Sequence, residues 1–156
     1  MKTKVTLLLA VLISAFGVSK TYAQECAELT SLFVEPAKVK NYNEALTHYE
    51  ELKNSCATYS MAIYQYAERM FKHFIEQGDL DKMKDLEEVY ELRMKHFPAN
   101  TNEADIIQGL ARFKFDNKIG TPEEWFAEFD KAYKLDPSRF TSPVSIYTYF
   151  SLDRKS

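Results

Sequence analysis

The residues able to do chemistry are few and dispersed. His48, His73 and His96 fall in three separate apolar-periodic segments with no ligand spacing between them, which argues against a zinc or other metal site. The acid pairs Glu50-Glu51, Glu87-Glu88 and Glu123-Glu124 are adjacent in sequence, so on a helix their carboxylates diverge instead of converging on one reacting group. No G-x-S-x-G elbow and no phosphate-binding glycine loop is present. Cys26 and Cys56 lack the C-x-x-C spacing of a redox pair. We therefore expect neither an enzyme nor a cofactor or metal, and look to the elements that carry these side chains.

The first residues read as an address. Lys2 and Lys4 precede an apolar run from Val5 to Val18, and Thr21-Tyr22-Ala23 offers small residues at the positions a signal peptidase inspects. Residues 1–23 are expected to be a signal peptide and residues 24–156 one exported domain, periplasmic or extracellular. The apolar run is shorter than the roughly 20 residues a membrane span needs, so no stable membrane insertion is expected after its removal. Cleavage takes away Lys2, Lys4 and Lys20 and no acid, moving the formal charge from -3 to -6. With the remaining basic residues interleaved among acids, a nucleic-acid backbone is a poor partner.

The rest reads as all-α. Four glycines and five prolines fall between periodic segments, as punctuation does in a helical chain. Leu29, Leu32 and Phe33 set a first helix that Pro36 should kink or end early. Asn41 is expected to cap the second, with Glu44 reaching back to it. If these two helices fold back on one another, Cys26 and Cys56 come to the same end of the hairpin, and in an exported chain that predicts a disulfide.

A central hairpin runs from Ser60 to Pro98, turning at Gly78. Ile63, Ala67, Met70, Phe71, Phe74 and Ile75 face inward from its first helix, and Met83, Leu86, Tyr90, Met94 and Phe97 from its second. Thr101 is expected to cap the next helix, whose apolar residues are Ile106, Ile107, Leu110, Ala111 and Phe113. Thr121-Pro122-Glu123-Glu124 is a capping box, opening a helix that buries Trp125, Phe129, Ala132 and either Tyr133 or Leu135. The hairpins thus span approximately 26–56, 60–98 and 101–137, with a final helix over 143–152. That last helix presents Ile146, Tyr147, Tyr149 and Phe150. It reads as a closing helix or, the reading we favour, as the first half of a further hairpin in a longer natural chain.

Tyr49, Tyr90 and Phe129 each lie eight residues before Ala57, Pro98 and Pro137, a period of about 40 residues. On these positions the chain resembles the tetratricopeptide-repeat family. Asn41 to Ala45 looks like the family's turn and start of its second helix. Phe129 to Pro137 looks like that helix's ending, and Ala67, Met70, Phe71 and Phe74 match its first-helix packing positions. Arg93 and Gly109 depart from the pattern. The chain is also similar to exported tetratricopeptide-like proteins of Bacteroidetes-type bacteria. The resemblance implies a right-handed solenoid of about three antiparallel hairpins plus one terminal helix. It also implies a protein-interaction scaffold that holds a protein or peptide segment, with Gln65, Glu68 and Lys72 facing the groove. The alternative is a glycan-binding module using some of the ten tyrosines and eleven phenylalanines, although most of these sit at core spacing.

Overall fold

The computed structural model describes residues 21–153, so all but the last three residues of the expected signal peptide lie outside the described residues. The described residues form seven α-helices and no strand. These are α1 (Tyr22–Lys38), α2 (Tyr42–Ser55), α3 (Ala62–Glu76), α4 (Met83–His96), α5 (Glu103–Asp116), α6 (Pro122–Leu135) and α7 (Pro143–Asp153). Three short 3-10 turns, at Leu80–Lys82, Pro98–Asn100 and Pro137–Arg139, join them.

Helix α1 begins earlier than its apolar spacing indicates. Thr21 and Gln24 form a capping box, so the helix crosses the peptide bond after Ala23 where cleavage is expected. Pro36 falls in its last turn, two residues before the helix ends at Lys38, where little is lost. Asn41 occupies the cap position of α2 without capping it, because its amide donates to the Glu44 carboxylate at 2.5 Å. The cap of α5 is Asn102, one residue beyond Thr101, with its side chain accepting from the Asp105 N–H. The box at Thr121 and Glu124 forms as its sequence indicates.

Consecutive helices pack in antiparallel pairs. Cys26, at the start of α1, is bonded to Cys56, just past the end of α2, with 5.5 Å between their Cα atoms. In the second pair Tyr64 stacks on His96, Glu68 meets Arg93 and Lys72 lies over Tyr90, so the register runs in opposite directions. In the third, Phe115 lies edge-on to Trp125 and Lys114 meets Glu128.

The opening helix of each pair stops the same way. Asn41, Asp79 and Ile119 donate their N–H groups back to the carbonyls of Pro36, Phe74 and Lys114, and the residue before each has a positive φ. That residue is Gly78 in the middle pair but Lys40 (φ 61°) and Lys118 (φ 56°) in the outer two. A Cβ in this left-handed region costs about 1–2 kcal/mol, partly offset by the extra chain entropy a glycine loses on folding. Lys40→Gly and Lys118→Gly are each expected to raise stability by about 0.5–1 kcal/mol in urea denaturation. The second helices also end alike, with the N–H groups of Cys56, Phe97 and Asp136 bonded to Leu52, Arg93 and Ala132.

Two cores result. The larger joins α1 to α4 around Phe33, Tyr49, Ile63, Met70, Phe71 and Leu86. The smaller joins α5, α6 and α7 around Ala111, Phe129, Ala132, Phe140 and Leu152. Helix α5 serves both, because Ile106, Leu110 and Phe113 lean on the first core while Ile107, Ala111 and Phe115 lean on the second. Trp125 packs half-buried, but Tyr133 and Leu135 both stay largely exposed, so neither completes the buried stripe of α6. In α7 the inward residues are Ser145, Thr148 and Leu152, which leaves Tyr147 and Phe150 outside. The apolar face expected of the helix is thereby split, since Ile146 and Tyr149 pack half-buried against the second core while Tyr147 and Phe150 do not. Thr148 is drawn inward by Arg112 of α5, which donates to its hydroxyl at 3.1 Å.

Candidate functional site

The pairs α1–α2 and α3–α4 close on each other, but between α4 and α5 the backbones stay apart and contact is made through side chains. A groove opens there. Its floor is apolar and half-buried, formed by Met94 of α4 with Ile106, Ile107 and Leu110 of α5. Each wall is one helical stripe. On α4, Glu87, the pair Tyr90-Glu91 and Met94 follow one face, and on α5 the stripe runs from Glu103 through Leu110 to Lys114. The hollow holds about 270 Å³.

Lys114 clasps the groove partway along. Its side chain is 17% exposed, and its ammonium reaches Glu128 of α6 at 2.7 Å and Glu87 of α4 at 3.3 Å. Burial alone would lower its pKa, but the Glu128 and Glu87 carboxylates reverse that and hold it above the ordinary lysine value. Lys114 therefore stays charged at neutral pH, and its charge is spent within the protein. Beyond the clasp a second hollow of about 270 Å³ continues over Met83, Ile119 and Trp125. The Trp125 indole N–H is fixed there on the Ile119 carbonyl at 2.6 Å.

The rim is acidic. Glu87, Glu91, Glu103 and Glu128 border the main hollow against Lys114 and Lys131. Among the described residues neither Glu91 nor Glu103 has a cationic partner. One oxygen of Glu128 takes Lys114, and the other is buried without a hydrogen-bond donor. Such an orphaned carboxylate oxygen is unfavourable unless a positive field compensates it.

Of the three residues assigned to a groove by resemblance, two are engaged inside the molecule. Glu68 binds Lys72 at 2.7 Å and Arg93 at 3.3 Å, and the Lys72 ammonium lies 5.8 Å from the Tyr90 ring and 5.4 Å from the Phe113 ring. They tie α3 to α4 and α5. Gln65 is half-buried on the same helix, one turn before Glu68.

Several other titratable groups have structural work. His73 lies against Tyr42, and His96 stacks on Tyr64. Glu50 and Glu88 share Lys53, while Glu124 completes the α6 cap. Among the described residues no three metal-capable side chains converge. A roomier hollow of about 520 Å³ near the Pro98 turn is polar and of mixed sign, bordered by the Arg139–Asp105 ion pair.

The sequence stripes on α4 and α5 were visible as apolar periodicity, but their periodicity assigns Met94, Ile106 and Leu110 to a closed core. The signal that could have exposed the groove is the row of glutamates beside them, since a closed seam does not tolerate unpaired carboxylates. In comparisons with known proteins the chain matches no family model, no curated protein and no solved structure.

Proposed function

We propose that the chain is a non-catalytic protein-interaction scaffold of the cell envelope, built as a tetratricopeptide-like right-handed array of three antiparallel hairpins and a terminal helix. The observation that carries the reading is the apolar-floored groove between α4 and α5. Apolar side chains left open to water in a shaped channel favour an occupant, because its docking removes that surface from water. The array is supported by the recurrence of one terminator at Lys40, Gly78 and Lys118 and by the burial of Tyr49, Tyr90 and Phe129 at matching places. Export is supported by the Cys26–Cys56 disulfide together with the leader-like start of the sequence. Among the described residues no helix is long and apolar enough to cross a membrane. His73, His96, Lys53, Glu68, Lys72 and Lys114 are engaged in ring contacts and ion pairs, and the reading includes no reaction.

Filling the floor with charge tests it. Met94→Arg combined with Ile107→Arg is expected to reduce recovery of the partner crosslinked in the native envelope at least tenfold, and Met94→Arg alone, at a floor residue that belongs to neither core, is expected to weaken recovery while leaving the melting temperature within a few degrees. Undiminished recovery would place partner binding elsewhere.

One observation favours the glycan alternative. Tyr147, Phe150 and Tyr133 are 77%, 52% and 42% exposed around α6 and α7, and exposed rings can stack on sugars. That reading requires polysaccharide binding that survives high salt and is lost in Tyr147→Ala.

A further inference from the structure

We infer that the groove between α4 and α5 takes a cationic amphipathic helix, with leucine-like side chains on the floor and lysine or arginine side chains on the Glu91 and Glu103 rim. This rests on the scaffold reading and adds the chemistry of the occupant. Three features point to it.

The first is charge. Lys114 is neutralised between Glu87 and Glu128, so the charge left for an incoming group is that of Glu91 and Glu103, against Lys131 alone. A basic occupant relieves this surplus, while an acidic one, a nucleic-acid backbone or an anionic lipid surface adds to it. The second is shape. From Glu103 to Lys114 the wall is about 16 Å long, which matches three turns of a helix whose apolar residues recur at three and four. Met94 adds a flexible contact at one end of the floor. The third is backbone chemistry. The described residues contain no strand, so the groove offers no sheet edge to an extended peptide. An extended segment would lay unsatisfied N–H and C=O groups on an apolar floor, whereas a helix satisfies its own.

The test uses the purified chain and three synthetic peptides of about 14 residues: an amphipathic leucine/lysine helix, its leucine/glutamate counterpart, and a leucine/lysine scramble without a helical stripe. The leucine/lysine helix is expected to bind at least tenfold more tightly than either control, and to weaken as salt is raised from 50 to 500 mM. Glu91→Lys with Glu103→Lys should weaken it at least tenfold. The same charge change placed elsewhere, Glu51→Lys with Glu76→Lys, should leave it within about twofold. Equal effects of the two charge reversals would mean attraction to net charge alone and overturn the inference, as would absence of binding. Equal binding of the two amphipathic peptides, both lost in Met94→Arg/Ile107→Arg, would overturn the cationic assignment while leaving the scaffold reading standing. Crosslinking of the native partner that is indifferent to Met94→Arg/Ile107→Arg would remove the scaffold reading itself.

Discussion

Replacing Cys26 and Cys56 together with serine is expected to lower the free energy of unfolding by about 3–4 kcal/mol, read as a fall in the urea midpoint with a steeper slope, because the released unfolded chain exposes more surface. The bond closes a loop with a sequence separation of 30, and in the chain-entropy picture a crosslink of that span removes much of the unfolded chain's freedom. Both sulfurs are shut away from solvent, with Cys26 at 0% and Cys56 at 1% exposure. Serine hydroxyls there would be buried among apolar neighbours, adding to the loss, so a double alanine variant should sit above the serine variant. The consequence is local before it is global. Cys26 lies at the start of α1, so once it is released from α2 amide exchange should quicken first in α1. A loss below 1 kcal/mol would mean that packing alone holds the first pair.

Tyr49→Ala is expected to cost about 3–5 kcal/mol, the range of large aromatic deletions from a core. Its ring joins three helices, contacting Phe33 of α1 at 5.6 Å and Phe71 of α3 at 5.3 Å from its own place in α2. Tyr49→Phe should behave oppositely, leaving stability unchanged or raising it by up to about 1 kcal/mol. The phenol oxygen is buried and has no hydrogen-bond partner, and burial, reinforced by the Glu88 carboxylate, pushes its pKa well above the ordinary tyrosine value. Removing the hydroxyl therefore removes an unsatisfied polar group and breaks no bond. Chemical denaturation of both variants separates the ring's contribution from that of the hydroxyl. If the phenylalanine variant is as damaged as the alanine variant, the hydroxyl has a role that the packing does not account for.

Much of this architecture was legible because helix ends leave local marks. Thr121-Pro122 with Glu124 specifies its cap within four residues, and Gly78 specifies its terminator alone. The disulfide was legible from the placement of two cysteines at the ends of two antiparallel helices. Asn41 was not, since an asparagine followed by Glu44 can cap the backbone or bond the side chain, and here the amide chooses the carboxylate. The groove was hidden for a different reason. Apolar periodicity tells which face of α5 avoids water, but Ile106 and Ile107 begin two adjoining apolar faces that lean on two cores. Whether the strip between α4 and α5 closes is set by the relative placement of two helix pairs, which no single stripe encodes. The assignment of Glu68 and Lys72 illustrates the same limit. Their i,i+4 pairing was readable, whereas Arg93 and the Tyr90 and Phe113 rings that enclose them come from other helices.

The groove as the place of partner binding is tested most directly by photo-crosslinking from single positions in the native envelope. A photoreactive phenylalanine analogue at Ile107, on the floor, is expected to trap a discrete protein partner, whereas the same group at the exposed Lys84 of α4 traps none. Equal trapping from both positions, or trapping from position 84 alone, would contradict the account.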